Sequence, residues 1–114
     1  MMATQHVILS ETLMANGALV QQRLVGYDGK TCTKGALALG IAEVDAVEGD
    51  AVTVNVLGII AAEAGAPINP GDRLQSDDNG CVIPLETTGK PEQVGVALTA
   101  AAASGNTLRV MWGA

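Results

Sequence analysis

Glycines, prolines and Asx-Gly pairs cut this chain into short pieces, and within the pieces apolar residues alternate with polar ones. Alternation with a period of two turns one face of an extended segment inward and the other outward, the mark of a half-buried strand. AVTVNV (51–56) puts Val52, Val54 and Val56 on one face and Ala51, Thr53 and Asn55 on the other. TLRVMW (107–112) does the same with Leu108, Val110 and Trp112. HVILSETL (6–13) and ALVQQRLVGY (18–27) read as further strands, and GDRLQS and CVIPLE as shorter ones. Strands so spaced predict an all-β, mainly antiparallel fold, a small single-domain β-sandwich or barrel. ALTAAAAS (97–104) is the exception. Alanine is the best helix former, so this segment is expected to hold at most one short helix, or a loop.

Two stretches share a pattern. GIAEVDAVEGDAVTV (40–54) and GVALTAAAASGNTLRV (95–110) each run from glycine, a β-branched residue and alanine through an Ala-bearing connector. Each then reaches an alternating strand by way of Gly49-Asp50 or Gly105-Asn106, which supply backbone freedom at a turn. Two copies are too few for a solenoid and predict paired hairpins within one β domain.

A length of 114 residues suffices for one domain with a core. Residues 18–114 are read as that β domain and residues 1–17 as an N-terminal arm or its first strand. Apolar residues reach 48%, which argues against disorder, but aromatics are only 2%, namely Tyr27 and Trp112. A core of Val, Leu, Ile and Ala is thin, so further burial between subunits is expected. Twelve acidic residues against six basic ones give a net charge of −6, with the bases scattered. That disfavours a nucleic-acid partner and suits solubility. The first residues lack the basic start of a signal peptide, and the most apolar stretch (51–68) is interrupted by Asn55 and Glu63. A soluble chain made in a cytoplasm, with no membrane partner, is expected. Cys32 and Cys81 have neither zinc nor redox spacing; they read as two buried thiols or as one disulfide.

The stretch QSDDNGCVIPLE (75–86) matches a calcium loop at Asp77, Asn79, Gly80 and Glu86. Its flanks do not fit, because Pro67, Pro70 and Pro84 stand where the two helices belong. Asn79-Gly80 between alternating segments predicts a hairpin turn instead. His6 is the sole histidine and lies near the terminus, no phosphate-binding glycine loop occurs, and the carboxylate pairs Asp45/Glu48 and Asp77/Asp78 sit in turns. No catalytic, cofactor-binding or metal-ligating set emerges, and no cofactor is expected. The candidate interface residues are Thr4, Gln5, His6 and Val7, Tyr27, and Trp112. The first four lie in a segment that either adds a strand to a neighbour or frays. Tyr27 and Trp112 are the aromatics able to anchor a partner, although Trp112 also continues an inward face.

In order along the chain come ALGIAEVDAVEGDAVTVNVLGII, GAPINPGDRLQSDDNGCVIPL and QVGVALTAAAASGNTLRVMW. This succession resembles the capsid cement, or head decoration, proteins of tailed bacteriophages over roughly residues 35–114. The resemblance implies a non-enzymatic structural virion protein, made in the host cytoplasm. It implies homotrimers on the outer capsid surface that bridge neighbouring copies of the major capsid protein and stabilise the head. Its partners would be the major capsid protein and itself, with no cofactor, nucleic acid or membrane. Many small contacts repeated over a lattice become collectively strong, so cement needs no active site. The alternative is an accessory β domain binding a small ligand, a sugar or calcium, which calls for one pocket with convergent polar groups.

Overall fold

The structure, a computed structural model, describes residues 5–113. Its eight strands are β1 (His6–Met14), β2 (Leu24–Gly26), β3 (Ala38–Ala42), β4 (Ala51–Glu63), β5 (Arg73–Ser76), β6 (Val82–Pro84), β7 (Gly95–Ala97) and β8 (Thr107–Trp112). They form one antiparallel sheet in the order β2-β3-β4-β8-β7-β5-β6, with β1 on the remaining edge of β4. The sheet curls until Val82 of β6 bridges Ala64, just past the end of β4, making a nearly closed barrel. No helix occurs among the described residues. The alanine-rich segment after β7 is a loop, held by the bridge between Ala101 and Ile68.

The alternating segments become strands as their patterns require. In β8, Leu108, Val110 and Trp112 are buried while Thr107, Arg109 and Met111 face outward. Trp112 sits between glycines on both neighbouring strands, paired with Gly58 of β4 and packed 3.5 Å from the Cβ position of Gly95 on β7. A bulky indole in a thin aliphatic core thus finds its space where side chains are missing. The hairpin predicted at 75–86 joins β5 to β6. Asp77 Oδ1 accepts from the backbone N–H groups of Asn79 (2.8 Å) and Cys81 (2.9 Å), and Gly80 takes a φ of 77°.

Two expectations about strands need correction. The strand expected over 18–27 is only Leu24–Gly26, because Leu19 bridges Ala46 and the chain turns through Gln22 at a φ of 69°. The strand read at 51–56 runs on for 13 residues to Glu63. Its second part is an apolar run that carries no alternation.

The repeat seen at 40–54 and 95–110 is wider than the sequence suggested. Ala42 faces Val54 as Ala97 faces Val110, and Ile41 faces Asn55 as Val96 faces Met111. The connectors follow suit: Ala15 N donates to Asp50 O and Ala64 N to Asn106 O, both at 2.8 Å. Leu19 and Ala46 exchange backbone hydrogen bonds, and so do Ile68 and Ala101. The Arg23 and Asp72 carbonyls accept from Ala42 and Ala97 at 3.0 and 2.9 Å. Hence β2 corresponds to β5, β3 to β7, β4 to β8, and β1 to the far part of β4. The long β4 closes the first half and opens the second.

The core has two parts. The smaller joins Ala15, Leu19, Val25, Ala42, Val52 and Val54 on the inner face of the first half. The larger joins Ile60, Ile68, Leu74, Leu108, Val110 and Trp112 of the second half. Leu24 and Ile41, which point from the opposite face of the first half, also belong to the larger cluster. The β2-β3 part of the first half-sheet therefore buries both faces, whereas in the second half Arg73, Val96 and Met111 leave part of the corresponding face uncovered although Gln75 of β5 is buried.

Candidate interaction surface

β1 is held along one edge only. It pairs with β4 from His6 opposite Ile59 to Met14 opposite Ala51, with irregular register between Val7 and Ser10. A polar chain pins it. Ser10 Oγ donates to Asn55 Oδ1 at 3.0 Å, and Asn55 Nδ2 donates to Glu43 Oε2. Gln5 Oε1 accepts from the Ala61 backbone N–H at 2.9 Å. Asn55 is 2% exposed, so its amide is committed to this task.

The opposite edge of β1 pairs with no strand among the described residues. An unpaired edge presents a row of backbone donors and acceptors and is a template for strand addition. Its side chains add apolar surface: Ile8 is 69% exposed, Leu9 48% and Met14 64%. The corresponding edge of β4 shows what such an edge receives, for there His6, Val7 and the Gln5 side chain cover Ile59, Gly58 and Ala61.

The sequence-derived candidates separate into three places. Gln5 immediately precedes β1 and His6 and Val7 start it, with Gln5 and His6 exposed and Val7 packed on the larger core cluster. Tyr27 is 67% exposed, away in the turn after β2, beside an open groove of about 360 Å³ lined also by Asp28, Thr31, Cys32 and Leu37. Trp112, read as core or contact, is 7% exposed and lies in the core. Thr4 falls outside the described residues. Ile8 and Leu9 were not among the sequence-derived candidates, although three successive apolar residues, Val7, Ile8 and Leu9, break the alternation in HVILSETL and signal a strand with apolar groups on both faces.

The titratable groups form structural pairs. Arg23 binds Glu63 at 3.2 Å, and that hydrogen bond raises the Arg23 pKa. Cys81 lies 3.7 Å from Glu63 Oε2; burial foremost, then the charges of Asp77 and Glu63, push its thiol up to about 11. Burial raises the Cys32 thiol as well. Both cysteines are free and buried, and protonated thiols of this kind are poor nucleophiles. Among the described residues no three His, Cys, Asp or Glu side chains are gathered to hold a metal ion.

The small β domain thus presents a strand edge that carries exposed apolar side chains. A family model described as phage cement protein matches residues 2–112, nearly the whole chain. The chain belongs to the phage cement protein family, a family of structural phage proteins. Its fold is similar to the crystal structure of the head fiber gp8.5 N base in bacteriophage phi29. The TM-score is 0.75 at 22% identity, over 92% of this chain and 93% of that chain. No curated protein matches the chain.

Proposed function

We propose that this protein is a homotrimeric decoration protein that binds the outer face of the major capsid protein lattice and stabilises the head, without catalysing a reaction. The observation that carries the capsid-binding part is β1, nine residues long with one free edge and exposed Ile8, Leu9 and Met14. A strand of the capsid protein laid along that edge would gain main-chain hydrogen bonds and shelter this apolar surface. Multiplied over a trimer on a symmetric lattice, modest contacts give tight attachment. Gln5, His6 and Val7 stand at the start of this edge and are the sequence-derived candidates that fit the role. Tyr27, exposed in the turn after β2, is a further candidate contact in the assembly.

Thr12 occupies the position in β1 that Ala61 holds in β4, whose N–H points away from β8 toward Gln5. Thr12→Pro therefore removes an outward donor, and an edge strand tolerates proline at such a position. Expanded capsids mixed with the wild-type protein are expected to retain it through sedimentation, and those mixed with Thr12→Pro or Leu9→Lys to retain far less. Equal retention by both folded variants would refute β1 as the docking edge.

A further inference from the structure

The two halves of the molecule treat corresponding faces differently. In the first half Leu24, Ile41 and Asn55 form a row across β2, β3 and β4 and are 1%, 0% and 2% exposed. The matching row of the second half is Arg73, Val96 and Met111 across β5, β7 and β8. There Met111 is 42% exposed, Arg73 is exposed, and Val96 is half-buried. Ile59 of β4 extends this row, paired with Met111. Part of the first half's face is covered by apolar residues of the same chain; its counterpart lies open. Arg109 faces the same way as Met111, so the open face is apolar with cationic neighbours.

A complementary surface exists on the first half. The connector from β3 to β4 carries Glu43, Asp45, Glu48 and Asp50 around Val44 and Val47, which are 51% and 64% exposed. Asp45 Oδ1 accepts from Gln21 N at 2.7 Å and Asp50 Oδ2 from Val47 N at 3.0 Å, which fixes the connector's shape. Its counterpart between β7 and β8, residues 98–106, has no charged residue at all. The chain thus bears the acidic apolar ridge once and the basic apolar face once, on different halves.

We propose that the open face around Ile59, Val96 and Met111 is the subunit contact, docking on the acidic β3–β4 connector of a second copy. The pairing joins unlike surfaces, so it is heterologous, and a heterologous contact whose rotation closes produces a ring. This rests on the homotrimer reading above and adds which surfaces meet. Opposite charges at the rim fix the register and disfavour face-to-face pairing of two like surfaces.

The test uses the full chain with Met111→Cys and Val47→Cys together, treated with a short bis-maleimide. Wild type serves as the control for the buried Cys32 and Cys81. The double variant is expected to yield covalent dimers and trimers on a denaturing gel, and each single variant none. Cross-linking by Met111→Cys alone would show like faces meeting and overturn the proposal. So would a double variant that is trimeric by native mass spectrometry but does not cross-link. Separately, Met111→Glu should keep the wild-type circular dichroism and lose the trimer at a concentration where wild type is fully assembled; a trimer that persists contradicts the contact. A wild-type protein that is monomeric in the same spectrometer overturns the trimer reading itself, and this inference with it.

Discussion

Asn55 shows how one polar residue can hold an element in place. It is buried in β4, bonded to Ser10 of β1 and to Glu43 beyond β3, and so ties three segments together. Asn55→Ala removes both of these hydrogen bonds and is expected to cost about 1–3 kcal/mol, read from the midpoint of urea unfolding at unchanged slope. Cys81 gives a pH dependence whose sign follows from its environment. Its pKa rises from 9.0 to about 11 in the folded chain, so between those values the native state holds a proton that the unfolded state releases. Stability from this group is complete below pH 9 and is lost as the pH rises toward 11. Urea midpoints across that range should fall with pH, and Cys81→Ala should flatten the decline without removing it, because Cys32 is shifted in the same direction.

At the scale of the element, β1 depends on Gly58. That glycine has a φ of 121°, and a Cβ there would collide with the His6 carbonyl and lie 2.9 Å from Ile8 N. Gly58→Ala should therefore free the start of β1, seen as faster amide exchange in residues 6–9, while exchange in the hairpin of β7 and β8 stays slow. What the sequence revealed about elements followed its local signals. TLRVMW and the Asn79-Gly80 hairpin appear where alternation and turn chemistry put them, because local pattern and tertiary need agree there. The segment 18–27 misled because QQR offers no glycine at the turn; Gln22 itself adopts the left-handed conformation that Gly71 takes in the other half. The far part of β4 was hidden because LGIIAA, apolar or glycine at every position, has lost the period of two. The full extent of the repeat was hidden too, since ANGAL (15–19) and AGAPI (64–68) share backbone hydrogen bonds and almost no side chains.

As a whole molecule, the protein is a repeated β unit whose second copy covers part of the first and leaves its own outer face open. A fold that ends in one open edge and one open face is suited to assembly, which agrees with its membership of the phage cement protein family. The composition was already informative at this scale, for a core with Trp112 as its sole aromatic residue has little burial to spare. The contact residues were less legible. Gln5, His6 and Val7 could be placed at a terminus from sequence, but only the pairing of β1 with β4 shows which edge remains. Trp112 could be read as core from its place on an alternating face or as a partner's anchor from its ring, and Gly58 and Gly95, distant in sequence, make its place inside. The proposed function requires attachment to the outside of the head, which electron microscopy of expanded capsids with and without the protein can reveal. Added density is expected on the outer surface at three-fold and quasi-three-fold positions, present only when the protein is supplied. Capsids that never take up the protein, or density confined to the interior, would contradict it.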